Sequence, residues 1–384
     1  MRHDVARARW ATSLIFFANG VGVASWLSRI PAMRDQARLD DRVLGFVLLS
    51  WALGSFISFR FVGRLVERLG SGHVTRVALL AYCMMMPLPT LAHSAWSMGG
   101  WLVLVGIANG FVDVAMNAQA VSIEHAAGRP ILSSFHAAFS IGGLVGAIIG
   151  SGAAYFALRP FVHVGIVALL LIAVTRWRSY IADQPAASAD TPAASSLSLH
   201  VLGLGLIACF SSVGEGAMGD WSALFLRDVT LASDTQAALG YAAFSVAMTL
   251  GRVVGDRLTA RFGGVRLLRV AGFVSAVGLA LTVAFPARWT AYFGFAAVGA
   301  GLSVVVPVVF SAAGRVRGVS AGAALSVVAT LSYSGFLAGP PLIGVLAHSI
   351  GLRFAIAIVS VLAATLALMA SLVGDKDPIC SPNE

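Results

Sequence analysis

The chain has 384 residues, of which 58% are apolar and only 11% charged, against about 25% charged in an average soluble domain. That leaves too little polar side chain to cover a globule of this size, and the mean hydropathy of +0.86 agrees, so an all-α integral membrane protein is expected. The net charge of +9 rests on 26 basic residues of which only Lys376 is lysine, which excludes an intramembrane retinal Schiff base and a Walker A loop.

A helix crossing a bilayer takes about 20 largely apolar residues. Twelve such stretches follow in order, at 10–30, 43–63, 74–93, 97–122, 132–157, 161–178, 199–226, 236–255, 266–285, 289–312, 319–347 and 351–373. The first follows Arg2, Arg7 and Arg9 and is not closed by a small-residue cleavage site, so it reads as a retained span rather than a signal peptide. The sixth and seventh are separated by a polar run rich in alanine, serine and proline, which suits a flexible linker. The predicted organisation is a six-helix bundle at 1–178, a linker at 179–198, a second six-helix bundle at 199–374 and a tail at 375–384. Eighteen of the 26 basic residues, Arg64, Arg68, Arg252 and Arg257 among them, fall on one side of this layout, and eight, including Arg29 and Arg353, on the other. The excess marks the cytoplasmic side, placing both termini there and the chain in the inner (cytoplasmic) membrane as a multi-pass protein. The arginines lie in short connections rather than on one face, so the expected partner is the lipid bilayer and not nucleic acid. Cys83, Cys209 and Cys380 have no paired spacing, and neither a disulfide, a metal nor a cofactor is expected.

The two halves repeat one another. Gly20, Gly22 and Trp26 match Gly214, Gly216 and Trp221; Leu65, Arg68 and Gly70 match Leu258, Arg261 and Gly263; Gly106 matches Gly299 and Gly150 matches Gly344, all at offsets of 193 to 195. Four clusters in the same order point to duplicated halves, a transporter architecture with substrate held near the midplane.

After the second span comes Gly63-Arg64-Leu65-Val66-Glu67-Arg68-Leu69-Gly70, and after the eighth Gly255-Asp256-Arg257-Leu258-Thr259-Ala260-Arg261-Phe262-Gly263, whose acid stands one turn earlier. The first resembles the loop signature of the major facilitator superfamily, with glutamate in place of the commoner aspartate. A charged turn of this kind pairs with neighbouring helix ends in one transport state and releases them in another, which makes Glu67, Arg68, Asp256 and Arg257 candidate gating residues; the plainer reading is a basic loop. More narrowly, Phe16-Phe17-Ala18-Asn19-Gly20, the stretch Trp26 to Pro31, Gly110 to Asn117, Ser134 to Ser140 and Glu215 to Trp221 resemble the bacterial YbjJ-type membrane proteins and, more distantly, the fucose-permease-like sugar–proton symporters. The resemblance implies two pseudo-symmetric six-helix bundles and makes Asp113 the match of the fourth-span acid that couples protons. The first-span acid of those symporters is absent here, its position reading Leu27 beside Trp26.

Asp113 stands about twelve residues, or roughly 18 Å, above the cytoplasmic end of span four, and Asn109, Asp113 and Asn117 share one helix face by their i, i+4, i+8 spacing. A carboxyl at that depth either faces a cavity, where it can bind and release a proton, or belongs to a polar cluster joining helices. Glu215, flanked by Gly214 and Gly216, is the second proton-coupling candidate, at a place where the helix is expected to unwind towards substrate. His136 is a candidate relay or an interfacial histidine. Asn19, Trp26, Asn109, Asn117 and Trp221 are candidate substrate contacts, the tryptophans alternatively membrane anchors. Arg29 and Asp220, on symmetry-related spans at similar outer depth, are candidates for an outer gate pair or are ordinary interfacial charges.

The dinucleotide-like Gly214–Gly219 and the elbow-like Gly318–Gly322 lie in or at the start of apolar helices rather than after strands, so no enzyme is read from them. The favoured function is a monomeric secondary transporter coupling protons to a small polar solute, a sugar or sugar derivative first. The alternative is proton-driven efflux of amphipathic compounds, cued by Gly142, Gly146, Ala147 and Gly150 in span five, which resemble the antiporter glycine motif, and by Gly335, Gly339, Pro340, Pro341 and Gly344 in span eleven. A sensor or scaffold is the remote alternative.

Overall fold

The computed structural model describes residues 2–39, 41–175, 198–232 and 234–374; the expected linker, Ser198 apart, and the tail at 375–384 lie outside them. Among these residues fifteen α-helices follow one another: α1 (Arg2–Leu27), α2 (Ile30–Ala37), α3 (Asp41–Leu69), α4 (Ser71–Met85), α5 (Ala95–Ala127), α6 (Leu132–Tyr155), α7 (Pro160–Thr175), α8 (Leu199–Thr230), α9 (Asp234–Phe262), α10 (Gly264–Ala284), α11 (Arg288–Leu302), α12 (Val305–Ala313), α13 (Ala321–Ile350), α14 (Leu352–Ala355) and α15 (Ala357–Met369). Among the described residues there is no strand, and a helix satisfies its backbone polar groups within one segment, as lipid demands of a span outside a closed barrel.

Among the described residues ten helical segments are long and apolar enough to cross a membrane, with α11–α12 and α14–α15 each acting as one. Two expected spans fall short of that measure. The helix α7 has 16 residues, and α9, at 29 residues, carries Arg252, Asp256, Arg257 and Arg261 in about its last three turns. One helix was not expected: α2 is cut from the connection after the first span by Pro31 at its start, where a missing N–H costs nothing, and by Arg38 in the left-handed region at its end. The break between α11 and α12 lies at Ser303–Val304, four residues before Pro307, which has no N–H to return to the Ser303 carbonyl.

The chain forms two compact units: Met1–Ala127, Phe135–Ala194 and Arg317–Ser326, and Gly128–Ser134, Ser195–Val316 and Val327–Glu384. Within each, helices cross where a glycine removes the side chain. In the first, a Cβ on Gly106 of α5 would lie 2.1 Å from the Trp51 carbonyl of α3, and one on Gly142 of α6 would lie 2.1 Å from the Phe17 carbonyl of α1. In the second, Gly299 of α11 stands 2.2 Å from the Phe244 carbonyl of α9 by the same measure, and Gly335 of α13 stands 2.3 Å from the Cys209 carbonyl of α8. Gly106 with Gly299 and Gly142 with Gly335 are 193 residues apart. The sequence repeat is therefore a repeat of helix crossings. Its loops match too, since Gly70 and Gly263 close α3 and α9 with φ of 81° and 75°, a region open to glycine and closed to most other residues.

Candidate functional site

In the first unit, Asn19 of α1 and Asn109 and Asn117 of α5 are buried, and Asp113 is half-buried among the α5 pair. Asn117 Nδ2 donates to the Asp113 carbonyl at 2.8 Å and to its Oδ1 at 3.2 Å. Asn19 Nδ2 reaches Met116 Sδ at 3.9 Å, which ties α1 to the same turn of α5. Gly106 and Gly110 hold the preceding turns of α5 on α3, a Cβ at Gly110 being 2.1 Å from Ser58 Oγ. The amide oxygens of Asn19, Asn109 and Asn117 are buried and have no donor among the described residues. Each such atom costs about 1–3 kcal/mol, so the three, two of them on α5 one turn before and one turn after Asp113, are acceptors that an incoming hydroxyl would relieve.

His136 of α6 is half-buried and meets the Phe16 ring edge-on at 5.4 Å, one turn before Asn19 on α1. Trp26 departs from the expectation: it is 1% exposed, with its ring 5.3 Å from Trp51, which in turn meets Tyr82 at 6.4 Å. It is a packing residue of the first unit and offers no face to a ligand here. Arg29 is likewise folded into its own unit, 5% exposed, and donates from Nη2 to the Leu158 carbonyl at 2.6 Å. Asp220, its expected partner in an outer gate, is exposed on α8 in the second unit.

In the second unit α8 runs unbroken from Leu199 to Thr230, so the expected unwinding at Gly214 and Gly216 does not occur. Instead Gly214 makes room for Leu302, whose Cδ1 would be 2.8 Å from a Cβ. Glu215 projects from the intact helix to Arg252 of α9, Nη2 to Oε1 3.8 Å, with the side chains 29% and 11% exposed respectively. The sequence reading has Arg252 inside the eighth span, 236–255, and counts it with the cytoplasmic arginines without assigning it a partner. It stands ten residues, about 15 Å, before the end of α9, and that distance was the available signal. Trp221, half-buried, packs over Gly344 of α13, its Cζ2 3.5 Å from where a Cβ would be.

The two motif acids, Glu67 in α3 and Asp256 in α9, both reach the start of a helix despite their one-turn offset, Glu67 through a serine and Asp256 directly. Glu67 accepts from Ser320 Oγ, and Ser320 Oγ accepts from the Ala323 N–H at 3.2 Å, at the start of α13. Asp256 accepts the Ser134 N–H on both carboxylate oxygens at 3.1 Å, in the first turn of α6. Carboxylates at helix N-termini satisfy orphan donors and meet the positive end of the dipole. Arg68 and Arg257 are exposed beside them. Among the described residues no group of three His, Cys, Asp or Glu is placed to hold a metal ion.

Comparison with known proteins agrees with this architecture. The family model described as Major Facilitator Superfamily matches residues 204–383. The chain is 35% identical over 364 residues to an uncharacterised MFS-type transporter of Yersinia pestis, covering 94% of this chain and 95% of that one. It is 33% identical to an uncharacterised transporter of Sinorhizobium fredii, covering 93% and 96%. The crystal structure of FucP in the outward conformation, a fucose:proton symporter of E. coli, superimposes with a TM-score of 0.81 at 16% identity over 95% of this chain and 98% of that one. A long relative at this identity settles the family: the chain is a multi-pass membrane protein of the major facilitator superfamily, a transporter and not an enzyme.

Proposed function

We propose that this transporter is a twelve-span, monomeric proton symporter of the inner membrane, with both termini cytoplasmic and a small polar solute, first a sugar or sugar derivative, as cargo. The observation that carries the proposal is Asp113 inside α5, held by Asn117, on the helix that also bears two of three buried asparagine oxygens without a donor among the described residues, the third being on α1. Acceptors in that number suit the hydroxyls of a polyol, and a carboxyl between two of them suits a proton. The fold likeness to a fucose:proton symporter points the same way. Asp113 binds the coupling proton, with His136 as its relay. Asn19, Asn109, Asn117 and Trp221 contact the solute. Glu215, held by Arg252, is the second titratable group. Glu67 and Asp256 hold the starts of α13 and α6 in one transport state and release them in the other, with Arg68 and Arg257 beside them.

Efflux of amphipathic compounds stands second. Three of the glycines that suggest it are at helix crossings: Gly142 and Gly146 face the Phe17 and Val21 carbonyls at 2.1 and 2.5 Å from a Cβ, and Gly335 faces Cys209. Close packing is reason enough for those three. De-energised, lightly buffered cells overproducing the protein test the proposal. Adding the transported sugar makes the medium alkaline, and Asp113→Asn abolishes that signal. Release of protons on addition of an amphipathic cation, with none moved by any sugar, would instead establish efflux.

A further inference from the structure

The Arg29 environment has features that transport chemistry leaves unexplained. Its Nη2 is spent on the Leu158 carbonyl, while Nε and Nη1 are buried with no acceptor among the described residues. His163, on the first turn of α7, is 3% exposed, and neither ring nitrogen has a partner among those residues. The two side chains lie within electrostatic reach of each other. Gly150 of α6 brings the neighbourhood together: a Cβ there would be 1.9 Å from Ser28 Oγ and 3.7 Å from His163 Cε1, so the residue before Arg29 and the imidazole meet on one turn of α6.

A guanidinium is always charged and has only donors. A buried charge left alone costs several kcal/mol. No carboxylate pairs with Arg29 among the described residues. In the flanking segments Asp35 is engaged by Arg34 at the exposed surface, 3.3 Å away, and Arg38 and Arg159 only add positive charge. Water would satisfy the N–H groups and leave the charge uncompensated. We infer that Arg29 and His163 hold a small inorganic monoanion of the halide class, which accepts the unfilled N–H groups of Arg29 and one from the imidazole. The anion neutralises the guanidinium and so fixes the α1–α2 connection to the α6–α7 loop through Leu158. This site is separate from the Asp113 cluster and does not depend on the cargo.

The test uses the full chain purified in detergent and desalted into sodium gluconate. Chloride replaces gluconate at constant ionic strength while the thermal midpoint is followed, and radiolabelled chloride binding is measured in parallel. The midpoint rises saturably, by about 2–4 °C. Arg29→Gln and His163→Gln both lose the rise and the bound label, and Arg29→Lys retains part of each. An unchanged midpoint in wild type, with label no higher than in Arg29→Gln, overturns the inference. A chloride effect that persists in both variants places the anion elsewhere and overturns it as well. Should Arg29→Gln not fold, His163→Gln decides alone. An acetate arm separates sources: a rise with acetate and none with chloride rejects the halide class.

Discussion

A carboxyl inside a membrane helix is expensive enough to need a purpose, and Asp113 has Asn117 at 3.2 Å to hold it. Asn at this position keeps the shape and loses the proton. Asp113→Asn is therefore expected to retain sugar exchange down a gradient in proteoliposomes and to lose uphill accumulation. One proton per solute is worth about 2.3 kcal/mol per 100 mV, so the wild type sustains about a 50-fold gradient at that potential and the variant sustains none. Accumulation by Asp113→Asn equal to wild type would remove Asp113 from coupling. Asp113, Asn109 and Asn117 were legible because helical spacing puts them on one face. The pairing of Arg252 with Glu215 was not legible, because a count of arginines along a chain gives the side of the membrane and not the neighbour a helix residue faces. Arg252→Gln strands Glu215 and is expected to lower stability by about 1–3 kcal/mol. Glu215→Gln added to it restores most of the loss, as a thermal unfolding cycle over the four proteins would record.

At the scale of elements, the glycines decide how close the helices come. Gly106→Val puts a side chain where a Cβ already stands 2.1 Å from the Trp51 carbonyl, so α3 and α5 must separate. The expected loss is about 1–3 kcal/mol, with the same loss for Gly299→Val at the matching crossing of α9 and α11. Gly100→Ala, on the same helix as Gly106 with nothing within 4 Å of its Cβ, is the control, neutral or stabilising by about 0.5–1 kcal/mol. Equal losses at Gly100 and Gly106 would show that helix propensity and not the crossing is being measured. These crossings were half legible: the constant offset gave the Gly106–Gly299 pair and not Gly142–Gly335, and a sequence does not say whether a glycine lines a path, bends a helix or admits a neighbour. That ambiguity let the glycines of α6 and α13 read as an efflux cue. Similarly, Gly214 and Gly216 suggested an unwound α8, although an apolar helix with a packed neighbour such as Leu302 tolerates glycine without breaking.

For the molecule as a whole, the duplication makes a stronger demand than any single residue. The sequence shows Asp256 one turn out of step with Glu67, yet each carboxylate ends at the start of a helix, one at α13 and the other at α6. A helix start offers several donors over one turn, so the acid can shift along its own helix and still be received. If both contacts hold the same transport state, removing either loosens its helix start and leaves the rest of the bundle folded. Asp256→Ala frees the Ser134 N–H and is expected to cost about 1–2 kcal/mol. Hydrogen–deuterium exchange of amides 132–136 should then quicken by about 5- to 30-fold, since each 1.4 kcal/mol is a factor of ten. Glu67→Ala should do the same for amides 321–325. The informative case is the double variant. Independent caps would give each segment the exchange of its own single variant. Two caps on one state would give faster exchange at both segments than either single variant, because each loss shifts the same equilibrium. Exchange at 132–136 in the double variant no faster than in Asp256→Ala would reduce the motif acids to local helix caps and leave the gate to other residues.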